Sequence, residues 1–191
     1  MKEILTYTLR HSMLRTGLIA MTVLAPMIYP AVANSASMPP QEDNFISIVS
    51  LAQSDAKSAD NDMQKGGVKA KRDRAICNLM ANKAVKNWVG KVQKVSANSD
   101  GKGVLEISLA KNITVKTWNN EFSDTTARTL INPSSNLFQS ASNLKKGQSV
   151  IFSGTFLPGK DGECIYEASM GLSGKLRDPE FIFRFSNIAA N

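Results

Sequence analysis

Few residues of this chain can do covalent or acid–base chemistry, and their positions narrow the field. The only histidine, His11, lies within the first 33 residues. If that segment is removed, residues 34–191 contain no imidazole. A Ser-His-Asp triad, a Cys-His dyad and a His-ligated zinc site are then excluded. The only thiols are Cys77 and Cys164. They form no Cys-x-x-Cys motif, lack a neighbouring base to lower a thiol pKa, and are too few for a Cys-rich metal site. The acid pairs Glu121 with Asp124 and Glu163 with Glu167 fall in loops or on a presumed exposed strand face. Acid–base catalysis needs a desolvated acid, so these read as solvated carboxylates. Gly101-Lys102-Gly103 and Lys145-Lys146-Gly147 lack the spacing of a phosphate loop and read as hairpin turns. No cofactor and no catalytic residue are expected.

Binding residues are better represented. Lys69, Lys71, Arg72 and Arg74 crowd one short segment, either as a solvated helix face or as a contact for a partner. Thr114, Lys116 and Trp118 alternate along a β-patterned stretch, with Lys91 on a neighbouring one. An aromatic with lysines beside it is what stacking on bases and tracking of phosphates require. Trp118 as a cover over a barrel mouth is the structural alternative.

The chain has 191 residues, 42% hydrophobic and 20% charged, with a formal net charge of +7. Such a composition belongs to a globular protein and excludes a mainly disordered or collagen-like chain. The charge is unevenly spread. Residues 34–63 are acidic, carrying Glu42, Asp43, Asp55, Asp60 and Asp62 against Lys57 alone. Between Gln64 and Lys94 nine basic residues face only Asp73, and residues 95–191 are nearly balanced.

Residues 1–33 read as a secretory signal. Lys2, Arg10 and Arg15 form a basic start, Leu18 to Ala33 is apolar but interrupted by Pro26 and Pro30, and Ala31-Val32-Ala33 ends it. An uncleaved membrane anchor is the alternative, although the run is short and broken for a bilayer span. Export makes an oxidising compartment, where an even cysteine pair points to a Cys77–Cys164 disulfide; two buried free thiols are the alternative.

The elements that must position these residues follow from periodicity. Residues 34–66 read as an extended tail and a short helix near 43–57, with Phe45, Ile48, Val49, Ala52 and Ala56 at helical spacing. Gly66-Gly67 is expected to break the chain, and residues 67–86 to form a basic amphipathic helix with Ile76, Leu79 and Met80 on its apolar side. From Asn87 the pattern is β. Strands are expected near 87–96, 104–109 and 113–118, then a polar loop, a short strand at 128–131 and a helix near 135–143. Further strands are expected at 149–157, 164–170 and 180–188, with a loop over 171–179. Gly90 and Gly154 mark bends.

Three meandering strands, a short helix and two or three more strands is the order of an OB-fold. That fold is a small Greek-key barrel with a helix between its third and fourth strands. A different small barrel or a β-sandwich competes. The expected fold is therefore mainly β, an OB-fold-like barrel over 87–188 preceded by one or two helices. Several blocks resemble the exported bacterial OB-fold proteins called tRNA-anti-like. They are Asn87-Trp88-Val89-Gly90-Lys91-Val92, Gly101-Lys102-Gly103-Val104-Leu105 and Lys116-Thr117-Trp118-Asn119-Asn120, then Phe152-Ser153-Gly154-Thr155-Phe156, Cys164-Ile165-Tyr166-Glu167 and Pro179-Glu180-Phe181-Ile182-Phe183-Arg184-Phe185. The resemblance spans roughly 65–188 and implies a fold and an envelope location. It brings no catalytic residue and no ligand.

The function expected from sequence is a non-catalytic exported binding module. Its partner would be another envelope protein or a small anionic ligand. A single-stranded nucleic-acid or oligosaccharide binder using the face around Trp118 is the alternative.

Overall fold

Residues 36–160 and 163–191 are described by the structure, a computed structural model. The expected signal, its Ala31–Ala33 site and His11 lie outside those residues. Helix α1, Pro40–Lys57, starts at a proline that tolerates the first helical turn, and it carries Glu42 and Asp43 where the helix dipole favours acids. It therefore begins earlier than the apolar spacing alone indicates. Helix α2, Asp62–Leu79, is capped by the Asn61 side chain, which accepts a hydrogen bond from the Gln64 amide at 3.0 Å. The expected break at Gly66-Gly67 does not occur, because α2 runs straight through both residues. A helical glycine costs only about 1 kcal/mol, and the cap upstream and the buried Arg72 and Ile76 downstream hold the helix across the pair.

Five strands follow: β1 (Ala84–Ala97), β2 (Gly103–Ala110), β3 (Ile113–Lys116), β4 (Ser149–Phe156) and β5 (Glu180–Ala190). They close into a mixed barrel in the order β1-β2-β3-β5-β4. β1 serves two neighbours. Its first half pairs with β4, up to Lys91 opposite Ser149, and its second half pairs with β2 from Lys91 opposite Ser108 onward. Gly90 sits at this corner. A Cβ there would stand 2.5 Å from Ile107 Cγ2 and 2.8 Å from the Ser108 carbonyl oxygen, so only glycine lets the strands approach. β3 and β5 are parallel, with Val115 opposite Phe181, and all other pairs are antiparallel.

Short helices fill the connections. α3 (Glu121–Asp124) and α4 (Asn136–Ser142) lie between β3 and β4, and α5 (Gly171–Arg177) between β4 and β5. Some strand expectations are corrected. Residues 128–131 contribute only a bridge from Ile131 to Gly103, and 164–170 only the bridges Ile165 to Pro158 and Glu167 to Phe181. β5 already has β3 on one side and β4 on the other, so no full ladder is left for that segment. The expected loop at 171–179 contains α5, and the expected loop at 119–126 contains α3.

The barrel interior is aromatic. Trp88, Phe152, Phe156, Phe181 and Phe183 are fully buried. α1 enters this core through Phe45, whose ring lies 5.3 Å from Trp88, 5.3 Å from Phe156 and 5.2 Å from Phe181. Such pairs stabilise beyond their burial by about 0.5–1.5 kcal/mol each. Phe181, Phe183 and Phe185 point inward as alternation requires. Ile182, on the opposite face of β5, is buried as well, covered where its amide donates to the Tyr166 carbonyl and its carbonyl accepts from the Leu157 amide. No helix among the described residues is long and apolar enough to cross a membrane.

Candidate functional site

The cationic segment of α2 does not form one binding face. Arg72 is buried at 3% exposure and holds Glu167 with two prongs, Nη2 to Oε2 at 2.6 Å and Nη1 to Oε1 at 3.3 Å. It also donates to the Lys175 carbonyl at 2.7 Å and to Asp73 Oδ1, and its guanidinium lies 5.8 Å from the Phe181 ring centre. Burial works against the Arg72 charge, but Glu167 and Asp73 more than offset it and hold its pKa above the ordinary value. Lys69 bridges Asp73 at 2.7 Å and Glu163 at 2.9 Å, and Lys175 also reaches Glu163. Two of the four expected partner contacts are thus spent inside the molecule. Lys71 and Arg74 are exposed. One turn further on, Cys77 is bridged to Cys164, with Cα atoms 5.3 Å apart. The ion network and the disulfide together fasten α2 to the β4–β5 connection.

The acids expected to be solvated divide. Glu163 and Glu167 belong to that network, and burial raises the pKa of the Glu167 carboxyl against the pull of Arg72. Glu121 pairs with Lys102 at 2.9 Å near the surface. Asp124 is buried and accepts hydrogen bonds from the Thr129 amide and hydroxyl, each at 2.7 Å, and from the Leu130 amide at 2.9 Å. These are structural roles: each partner is a group of the fold itself.

The expected strand at 113–118 ends at Lys116, so Trp118 lies two residues beyond β3, and the residues expected to share its face are occupied. Thr114 is buried at 8% exposure, and Lys116 lies 3.1 Å from Glu180 and 3.5 Å from Glu106. Trp118 meets Tyr166 edge-on at 5.7 Å, and Lys160 stands over the other partner of that pair, 5.6 Å from the Tyr166 ring centre. The β4–β5 connection thus lies against the aromatic that a base would need. Lys91 is exposed and lines a different groove.

A groove of about 470 Å³ gathers cations that sequence reading had not connected. Lys57 comes from the last turn of α1, Lys65 from α2, Lys111 from the β2–β3 turn and Arg177 from the end of α5. Gln53 holds these elements together: its amide nitrogen donates to the Asn112 carbonyl at 3.0 Å and to the Arg177 carbonyl at 3.1 Å. The residues lining this groove include no acid, and the buried Leu176 supplies an apolar patch. Lys65 has Asp62 at 3.1 Å and Arg177 has Asp178 beside it, whereas Lys57 and Lys111 form no ion pair among the described residues. Four elements converge here, so no local motif marks the site; only the mixed origin of its cations explains why the sequence conceals it. Among the described residues no group of three or more metal-ligating acids, cysteines or histidines is present.

The sequence matches no protein-family model and no curated protein, and the structure matches no solved structure.

Proposed function

We propose that this chain is an exported, non-catalytic binding module of the OB type whose ligand is a small anion held in the Lys57–Lys111–Arg177 groove. The convergence of four cations from four elements on a groove lined by no acid carries this reading. Cations grouped in a concave site raise the local concentration of an anion and hold it by charge-assisted hydrogen bonds. The OB assignment draws support from the strand order β1-β2-β3-β5-β4, the parallel β3–β5 pair and the helices between β3 and β4. Export draws support from the signal-like residues 1–33 and from the Cys77–Cys164 disulfide. The absence of histidine from 34–191 favours binding over acid–base catalysis. Nucleic acid is the weaker reading, since Trp118 is engaged by Tyr166.

Calorimetric titration of residues 34–191 with inorganic pyrophosphate at low and high salt tests the reading. Binding weakens as salt rises, and the Lys57→Ala/Arg177→Ala variant binds about tenfold more weakly or worse, the equivalent of about 1.4 kcal/mol. Equal affinity of wild type and variant overturns it. Intact mass of protein recovered from the cell envelope tests export: a chain starting at Asn34 supports it, and an uncleaved chain retained inside the cell contradicts it.

A further inference from the structure

Lys111 borders more than the anion groove. A second groove, of about 520 Å³, runs from Lys111 across β1 and β2 to the end of β5, and the two share Ala110 and Lys111 as lining residues. Lys91 is exposed in this second groove, none of whose lining side chains is acidic. Cations therefore line both grooves and their border: Lys57, Lys65 and Arg177 in the first, Lys111 in both, Lys91 in the second. Hydroxyls and amides lie along the same path. Ser50, Ser173 and the Asn112 side chain in the first groove form no intramolecular side-chain hydrogen bond among the described residues, and neither does the Ser149 side chain in the second. No aromatic side chain lines either groove.

From this shared border we propose that the two grooves hold one linear acidic oligosaccharide, with carboxylates at the cations and ring hydroxyls at the unspent hydroxyls and amides. The proposal rests on the anion-binding reading above and deepens it. A single compact anion would fill one groove and leave Lys91 unused. A single-stranded nucleic acid would bring enough charge, but its bases need stacking surfaces, and neither groove has one. A chain of acidic sugars fits a path that is cationic at intervals and polar between. Joining several weak contacts on one backbone raises the effective concentration at each following contact.

Calorimetric titration with four probes tests this: galacturonate, tetragalacturonate, neutral maltotetraose and a thymidylate tetramer. Tetragalacturonate binds at least about tenfold more tightly than galacturonate, and maltotetraose and the thymidylate tetramer bind more weakly than tetragalacturonate. Lys91→Glu removes the advantage of the tetramer and leaves the pyrophosphate affinity unchanged, since Lys91 does not line the first groove. Lys91 is exposed and forms no ion pair among the described residues, so an unchanged melting temperature verifies folding of this variant. Equal affinity for galacturonate and its tetramer, with pyrophosphate still bound, overturns the elongated ligand but not the anion groove. Failure of pyrophosphate as well overturns both. Tighter binding of the thymidylate tetramer, or equal binding of maltotetraose, overturns the acidic-oligosaccharide assignment.

Discussion

The Arg72 guanidinium and the Glu167 carboxylate meet in a two-pronged contact with each side chain 1% exposed, 95 residues apart in sequence. This pair joins α2 to the β4–β5 connection, as the Cys77–Cys164 disulfide does. Removing Arg72 leaves the Glu167 carboxylate buried without an ion-pair partner, which typically costs about 3–5 kcal/mol, whereas removing Glu167 leaves Arg72 still paired with Asp73. Arg72→Met is expected to lower stability by that order in denaturant unfolding, and Glu167→Gln by less. The double variant costs less than the sum, because neither charge is then orphaned. Additive losses would show that the two side chains do not act as a unit.

The disulfide should behave as a second fastening on the same joint. It closes a loop with a sequence separation of 87, for which the chain-entropy estimate is about 4–5 kcal/mol. Reductant, or the Cys77→Ser/Cys164→Ser variant, is expected to lower the melting temperature by roughly 10 °C on the usual scaling for this size. The double variant should no longer respond to reductant. A reductant effect that persists in that variant would place its origin elsewhere.

Glu42 introduces a pH dependence at the other fastening of the helical layer. It is fully buried, Oε2 accepts the Val89 amide at 2.8 Å, and Oε1 has no partner among the described residues. Burial outweighs the Val89 hydrogen bond and raises the carboxyl pKa from 4.5 to about 7. The folded state therefore holds its proton at pH values where the unfolded chain has lost it. Stability from this group is full below about pH 4.5 and declines as pH rises to about 7, with a total on the order of 3 kcal/mol. Glu42→Gln carries no ionisable proton and is expected to flatten that decline, measured as the difference between wild-type and variant unfolding curves at pH 5 and pH 8. Parallel curves would remove Glu42 as the cause.

Gly154 tests the close approach of β4 and β5. A Cβ at this position would collide with the Arg184 carbonyl and the Phe183 ring. Gly154→Ala is expected to destabilise by about 1–3 kcal/mol, the usual cost of forcing volume into a packed site. Gly147→Ala provides a contrast, since its Cβ would meet nothing but its φ of +85° is left-handed, so any loss there comes from the backbone alone. Urea unfolding of both variants checks this, and a neutral Gly154→Ala contradicts the contact.

Much of the barrel was legible because its signals are local. Alternation at Leu105, Ile107 and Leu109, and at Phe181, Phe183 and Phe185, reports an inward strand face directly. Cysteine parity identified the bridge between Cys77 and Cys164. The buried ionic residues of α1 and α2 were visible in principle. Arg72 lies four residues from both Val68 and Ile76, and Glu42 lies three before Phe45 and seven before Val49, so each interrupts an apolar helical stripe. Reading Lys69 to Arg74 as one charge run hid that spacing. Gly66-Gly67 misled because glycine weakens a helix without ending it when packing holds both sides. The groove was not legible at all: Lys57, Lys65, Lys111 and Arg177 are brought together only by tertiary packing.

The central claim, that this groove binds anions, is tested most directly by backbone amide NMR of residues 34–191 titrated with inorganic pyrophosphate. Saturable shifts concentrated at Lys57, Lys65, Asn112 and Arg177, and reduced at high salt, are the predicted result. Shifts centred on Trp118 and Lys116, or none at low salt, would contradict it.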